Sequence, residues 1–171
     1  MDTQISMGDL SPQIAAQELL KRRSIRNSLT EWARHKDFEP APHHQLFISE
    51  IEAFLKSEDE VLLLFAPPGY VSVLLPSWYL AANPTHSILA ATHNVEFAER
   101  WGRRVRNDIA GDANVLGISL SEDSKAAARW SLNSEGEYYG VGPESASQAF
   151  VPTLASVMTY LAHEKMPIAT Q

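Results

Sequence analysis

Residues 61–80 read VLLLFAPPGYVSVLLPSWYL, and this stretch decides the fold. The apolar run 61–66 shows no alternation, which is typical of a central parallel strand that is covered on both faces. Residues 70–82 predict a helix that is bent or interrupted at Pro76. A Pro-Pro-Gly turn joins the two elements, where nucleotide-binding α/β proteins have their phosphate-binding loop. The stretch therefore has the frame of a nucleotide site.

The groups that bind phosphate are missing from this frame. A P-loop requires Gly-x-x-x-x-Gly-Lys and then Ser or Thr, because its amides cradle the phosphates, its Lys neutralises them and its hydroxyl holds Mg²⁺. Here Gly69 is followed at once by Tyr70, and no Lys with a neighbouring Ser or Thr comes next. We therefore expect no working nucleotide site.

Helices and strands alternate on both sides of the turn, which predicts an α/β sheet with right-handed crossovers. The predicted elements, in chain order, are a helix from an N-cap at Ser11 to Arg34, a helix over 43–56, a strand over 87–91, a helix from an N-cap at Asn94 to Ala110, a strand over 115–120, and a hairpin of 130–132 with 138–141.

Apolar spacing predicts which face of each helix points inward. The expected core positions are Ile14, Leu19 or Leu20, Ile25, Leu29 and Trp32 in the first helix; Leu46, Phe47, Ile51, Phe54 and Leu55 in the second; and Phe97, Trp101 and Val105 in the helix after Asn94.

Several segments around the turn occur in a specific order. Downstream of it come Asn-Pro at 83–84, SILAATHN at 87–94, AERWGRRVRN at 98–107, and the segments 129–130 and 136–139; upstream come 14–23 and 42–46. Together with Pro-Pro-Gly, this series resembles the N-terminal ATPase domain of phage large terminase subunits, over about residues 11–142.

The resemblance implies a P-loop NTPase-like fold: a mainly parallel sheet with flanking helices, here incomplete and preceded by N-terminal helices. It divides the chain into an N-terminal helical region at 1–56, a partial ATPase core at 57–142 and a tail at 143–171 that the family does not share. Compared with the family, about five residues are absent between Gly69 and Tyr70, including the catalytic Lys.

The tail at 143–171 departs from the family a second time. Where the family has Arg-Ala-Asp-Leu and then the Walker B acids, which hold Mg²⁺ and orient the attacking water, no acid follows an apolar strand here. Apolar residues from 150 to 161 instead have helical spacing, which predicts a short helix from Pro152. Suitable codons for 150–154 and 157–159 encode Arg-Ala-Asp-Leu and Asp-Asp in a neighbouring frame. We hypothesise that this tail arose by a frameshift.

The resemblance also assigns candidate site residues. The remnant of the nucleotide site comprises Pro67, Pro68, Gly69 and Gln45, the last as an adenine-reading glutamine, and the phosphate or trans-acting arginines are Arg103, Arg104 and Arg106. It assigns no catalytic residue and no metal ligand.

The basic residues are unevenly distributed in a chain of formal net charge −7, which argues against a wholly nucleic-acid-binding surface. Eight of the fourteen lie in two clusters, Lys21, Arg22, Arg23 and Arg26, and Arg100, Arg103, Arg104 and Arg106. Each cluster is interpreted either as a solvated helix face or as a contact with DNA phosphates, nucleotide phosphates or an acidic partner.

Composition fits a cytoplasmic globular domain. With 171 residues and 44% hydrophobic content, the chain is able to bury a core. The absence of cysteine excludes a disulfide scaffold and any cysteine-ligated zinc site. The N-terminus lacks the pattern of a signal peptide, and the apolar runs are too short to span a membrane.

The expected function is that of a degenerate fragment of a phage or prophage large terminase subunit. The intact family uses ATP and Mg²⁺ to drive DNA into a procapsid and cuts the DNA with a nuclease domain. Here we expect both activities to be lost, with no cofactor and no small-molecule substrate. Expected partners are other terminase subunits, the portal or DNA. The alternative is a folded, non-catalytic interaction module that uses its N-terminal helices to bind such components.

Overall fold

The structure is a computed structural model that describes residues 12–57, 71–92, 94–122, 126–142 and 158–161, which form an α/β fold. The helices are α1 (Pro12–Asn27), α2 (Leu29–His35), α3 (Pro42–Phe54), α4 (Val71–Ala82), α5 (Val95–Gly111) and α6 (Ala113–Leu116). The strands are β1 (Ser87–Ala91), β2 (Arg129–Ser131), β3 (Glu137–Val141) and β4 (Met158–Leu161).

The described strands form one mixed sheet in the order β2-β3-β1-β4. β1 and β3 run parallel, whereas β2 pairs antiparallel with β3 and β4 pairs antiparallel with β1. The expectation of a mainly parallel sheet is therefore wrong for this part of the chain, because a tight hairpin and an antiparallel edge strand flank the parallel pair. The predicted strand at 61–66 lies outside the described residues.

The predicted helix from Pro12 to Arg34 is in fact two helices, broken at Ser28. The backbone of Ser28 is extended, with φ −142° and ψ 122°, and its Oγ accepts a hydrogen bond from the N–H of Glu31 at 3.5 Å. The carboxylate of Glu52 accepts the N–H of Leu29 at 2.9 Å. Serine competes with helix continuation by capping, and a second helix satisfies the freed amide, so the break is stable. The predicted cap at Ser11 lies outside the described residues.

The inward faces of α1, α2 and α3 were predicted only in part. Ile25, Leu29, Trp32 and Ile51 are buried as expected, and Ile48 is an additional buried residue. The N-terminal half of the predicted α1 stripe is wrong, because Ile14, Leu19 and Leu20 are 50%, 63% and 65% exposed, and Leu46 of α3 is 60% exposed.

Helix α5 begins as predicted, and Val105 is buried as expected, but the other two predicted core residues are not. The Oδ1 atom of Asn94 accepts the N–H of Glu96 at 2.7 Å and caps the helix. The buried residues are Ala98, Gly102, Val105 and Ile109, whereas Phe97 is 36% exposed and Trp101 is partly exposed. The inner face consists largely of small residues because α5 lies very close to the sheet.

The predicted strand at 115–120 is wrong. Residues up to Leu116 form α6, which ends at Gly117 in the left-handed conformation with φ 76°. Glycine adopts this conformation without the steric cost of a Cβ, so it ends the helix here. A single bridge between Leu120 and Leu132 links this segment to the hairpin.

The hairpin prediction is confirmed by β2 and β3. Trp130 and Tyr138 face each other across the pair, and their buried rings stack with centroids 4.9 Å apart. The helix predicted from Pro152 is wrong at its end, because Met158–Leu161 forms β4 at the edge of the sheet. Residues 143–157 lie outside the described residues.

A buried hydrogen bond joins the N-terminal helices to α4. The indole Nε1 of Trp32 donates to Oγ of Ser77 at 3.1 Å, and that hydroxyl donates to the carbonyl of Leu74 at 3.0 Å. Pro76 lies within α4, as predicted. Residues 74–80 of this helix are buried, so α4 forms the centre of the core between α2 and α5.

The substitution Gly102→Ala should destabilise the fold by about 1–3 kcal/mol, because overpacking forces the backbone to shift. A Cβ at this position would lie 2.4 Å from the carbonyl oxygen of Ala127 and 3.1 Å from the ring of Tyr138. Urea unfolding measures the change. Gly111→Ala, on the same helix, is the control: no atom lies within 4 Å of its Cβ, so the free energy of unfolding should stay equal or rise. Equal losses in both variants would contradict the close packing at Gly102.

Candidate functional site

The junction that would form the phosphate-binding loop is short. Pro67, Pro68 and Gly69 lie outside the described residues, but α4 begins at Val71. One residue, Tyr70, therefore separates Gly69 from the helix in the sequence. A phosphate cradle needs several consecutive amides before the helix N-terminus, whereas the sequence has one residue between Gly69 and Val71.

Gln45 lies in the first turn of α3, and its side chain forms a hydrogen bond with the loop that precedes this helix. Its Nε2 donates to the carbonyl of Pro40 at 2.9 Å. In the same turn, Nδ1 of His44 accepts the N–H of Ala41 at 3.2 Å. Burial and the neighbouring His43 lower the pKa of His44, so the ring stays a neutral acceptor. These contacts show how the start of α3 is held, and they assign no ligand to Gln45.

Helix α5 separates the three predicted arginines into two groups. Arg103 and Arg104 are exposed and lie on the same side of the helix as Arg100, three or four residues earlier. The guanidinium of Arg100 lies over the ring of Phe97, 5.2 Å from its centroid. Arg106 instead points towards the loop before β2, where its Nη1 donates to the carbonyl of Ala126 at 3.4 Å.

A charged cluster that sequence reasoning missed joins the end of α2 to the end of α5. Nζ of Lys36 lies 2.9 Å from Asp108 and 3.0 Å from Asp112, and Nε2 of His35 lies 2.9 Å from Asp112. The ring of Trp32 stacks on His35 and lies beneath the ammonium of Lys36, 5.4 Å away. Lys36 and Asp112 are 76 residues apart in the sequence, so no local pattern could have paired them. The signal for this cluster in the sequence was the spacing of Asp108 and Asp112, which lie one helical turn apart.

The ionisation of this cluster follows from its contacts. Partial burial would by itself raise the pKa of Asp112, but hydrogen bonds from His35 and Lys36 outweigh it and lower that pKa. Burial likewise opposes the charge on Lys36, and hydrogen bonds to Asp108 and Asp112 raise its pKa nevertheless. The cluster therefore holds an ammonium between two carboxylates at neutral pH. Its chemistry is that of a structural ion pair, because the ammonium satisfies both acids.

No set of metal ligands accompanies these groups in the part of the chain that the structure describes. No three His, Asp or Glu side chains there are placed to hold a metal ion. An open groove of about 520 Å³ lies between α1 and α4, away from the predicted site residues. It is lined by Leu19, Arg23, Arg26, Asn27, Ala81 and Ala82.

Comparison of the chain with protein-family models, with curated proteins and with solved structures gives no match. Across the described ranges, no helix has both the length and the apolar character needed to cross a membrane.

Replacing Asp112 by Asn should make the fold less dependent on pH. Because the folded-state pKa of Asp112 is lowered, its carboxylate stabilises the fold fully above its ordinary pKa of 3.8, and this stabilisation is lost as the pH falls through the lowered value. Asp112→Asn should therefore cost about 1 kcal/mol at pH 7 and progressively less below pH 4. Denaturant unfolding at several pH values measures the difference.

Glu99→Gln is the control for this prediction, because Glu99 is exposed on α5 and contributes nothing to the cluster. Its effect on unfolding should be small at every pH. A loss in Asp112→Asn that is constant between pH 7 and pH 3 would contradict a role for the ionised carboxylate.

Proposed function

We propose that this chain is a terminase-like ATPase scaffold that has lost its nucleotide chemistry and neither hydrolyses ATP nor cuts DNA. The observation that carries the proposal is the junction of Gly69 with Tyr70, directly before the start of α4 at Val71. A P-loop requires about four residues between its two glycines and then a Lys, and none of these is in place.

The order of the described elements supports the P-loop NTPase-like part of the proposal. Helix α4 leads into β1, and α5 then leads away from β1 before the chain returns to β3 beside it in parallel. A strand, a helix and a parallel neighbouring strand are the repeating unit of open α/β sheets. The predicted strand at 61–66 would precede α4 and add a further parallel strand.

Electrostatics explain why such a scaffold would be inactive. Phosphoryl transfer is catalysed mainly by positioned charge: a Lys on the phosphates, a hydroxyl and a carboxylate on Mg²⁺, and an arginine that stabilises the transition state. The chain has arginines on α5, but no Lys with a neighbouring Ser or Thr follows Gly69, and no acid occupies the expected Walker B position. Arginines alone supply neither the bound metal nor an oriented water.

The proposal places the chain in the cytoplasm of a bacterial host, with DNA, the portal or other terminase subunits as partners. Arg100, Arg103 and Arg104 are the groups on α5 that would meet phosphates, because all three are exposed on one side of the helix.

A second candidate function is a folded, non-catalytic interaction module. Two observations favour it: large side chains such as Trp32, Tyr79, Trp130 and Tyr138 are fully buried, and three apolar residues of α1 are exposed, namely Ile14, Leu19 and Leu20. Selection would not maintain a packed core in the product of a decaying gene. A helix that served packing alone would not leave large apolar side chains exposed.

The purified chain should show no ATP hydrolysis and no saturable Mg·ATP binding up to about 1 mM by isothermal titration. The physical reason is that too few amides converge before α4 and that no Lys replaces them. A stoichiometric micromolar site would contradict the proposal.

Insertion of Ser-Ala-Lys-Ser-Thr between Gly69 and Tyr70 provides the matched variant. The inserted loop would place amides, an ammonium and a hydroxyl at the N-terminus of α4, so weak ATP binding should appear without turnover. Turnover requires a Walker B carboxylate, which the insertion does not restore. No gain in affinity would mean that the scaffold does not have the P-loop arrangement.

The interaction-module candidate predicts one cooperative thermal transition for the purified chain. A core formed by α2, α4, β1 and β3 should unfold as a unit, with a calorimetric enthalpy equal to the van't Hoff enthalpy. A broad, gradual loss of signal would instead favour the product of a decaying gene.

A further inference from the structure

Exposed apolar side chains are concentrated on the N-terminal helices. Of the six large apolar residues that are exposed in the described ranges, Ile14, Leu19 and Leu20 lie on α1 and Leu46 lies on α3. Single exposed apolar residues are normal on a protein surface, but three within seven positions of one helix are not scattered. Apolar spacing in the sequence predicts burial for Ile14, Leu46 and one of Leu19 and Leu20, but the described residues cover none of these side chains.

The exposed side of α1 combines this apolar surface with positive charge. Leu19 and Arg23 lie one turn apart on the same side of the helix and border the groove against Ala81 and Ala82 of α4. Arg23 is exposed and forms no hydrogen bond or ion pair with any described residue. By contrast, the neighbouring Arg22 is paired with Glu18 at 2.8 Å. We call Leu19, Arg23, Ala81 and Ala82 the α1 surface.

The second basic residue at this groove is less available than Arg23. The Nε atom of Arg26 donates weakly to the carbonyl of Arg22 at 3.4 Å. Its guanidinium packs on Gly117, because a Cβ added there would lie 2.8 Å from Nη1. Arg23 is therefore the cation on the α1 surface that an acidic partner would pair with.

The exposed side of α3 has the complementary pattern. Leu46 and Glu50 lie one turn apart, and Ala53 follows on the same side. Glu52 faces the other way and accepts the N–H of Leu29, so α3 is attached to α2 through the side opposite Glu50. Glu50 is exposed and has no ion pair within the described ranges. We call Leu46, Glu50 and Ala53 the α3 surface.

The two surfaces match when α1 and α3 are aligned in parallel. Leu19 then lies against Leu46, and Arg23 lies against Glu50 one turn later. Overall charge favours the same pairing, because α1 contains four basic residues and one acidic residue in a chain of formal net charge −7. The basic helix of one molecule is therefore attracted to the acidic remainder of another.

We propose that a second copy of this chain binds through these surfaces, with α1 of each molecule packed on α3 of the other. Both helices pack on α2, so they lie on the same part of the molecule. A two-fold axis lets each copy contribute both surfaces, so the leucine contact and the ion pair each form twice. This inference rests on the interaction-module candidate and names its partner.

Sedimentation velocity on the full chain, at concentrations up to about 100 μM, tests the proposal. The wild-type chain should form dimers with increasing concentration. Arg23→Glu and Glu50→Arg should each weaken the dimer about tenfold or more, because each places like charges together twice. The double variant Arg23→Glu/Glu50→Arg should recover dimerisation, since it restores the pair with reversed charge.

Lys21→Glu is the matched control. It makes the same charge change on the same helix, but Lys21 is two residues from Arg23 and points to another side. Dimerisation should be unchanged. Loss of dimers in Lys21→Glu equal to that in Arg23→Glu, or failure of the double variant to recover, would overturn the specific pairing.

Thermal unfolding of the same samples distinguishes failure of the self-association proposal from failure of the interaction-module candidate. A chain that unfolds cooperatively but stays monomeric at about 100 μM overturns self-association and leaves the interaction module with a different acidic partner. Absence of a cooperative transition would overturn the interaction-module candidate, and with it the proposal of self-association through folded surfaces.

Discussion

The close approach of α5 to the hairpin of β2 and β3 is the constraint on which the described fold depends. A Cβ at Gly102 would overlap the carbonyl of Ala127, and the carbonyl of Gly102 accepts the indole N–H of Trp130 at 3.1 Å. Trp130 in turn stacks on Tyr138 of β3, which pairs with Ile88 of β1. Because small residues face the sheet, the large and charged residues of α5 are turned towards solvent, and the exposed arginines follow from this packing.

The sequence predicted those elements whose signals are local. The strand at 87–91, the cap at Asn94 and the hairpin each depend on a few adjacent residues, and all three are confirmed. On the inner face of α5, Val105 was predicted correctly, but Phe97 and Trp101 were each taken as core in place of the next residue, because the close contact needs the small side chains of Ala98 and Gly102. The strand predicted at 115–120 failed for a related reason: a short apolar run fits a strand or a buried helix turn, and Gly117 decided between them.

The candidate site likewise has features that are visible in the sequence and features that depend on the packing of the helices. That no Lys with a neighbouring Ser or Thr follows Gly69 can be read directly from the sequence. The cluster of His35, Lys36, Asp108 and Asp112 depends on how α2 packs beside α5, and no periodic pattern encodes such a contact. Sequence reasoning also expected Leu46 and either Leu19 or Leu20 to be buried, and all three are exposed, since spacing predicts an apolar face but not whether other described residues cover it.

The fold does not depend on the charges that nucleotide chemistry requires. The buried polar side chains in the described part of the chain are Ser77 and Thr92, both neutral and both hydrogen-bonded. Removing a Lys or a carboxylate from a buried ion pair would leave its partner uncompensated at a cost of about 3–5 kcal/mol. No such partner is buried among these residues, so the core between α2, α4 and β1 carries no penalty for a missing phosphate site. The proposed loss of catalysis and a packed α/β core are therefore physically compatible.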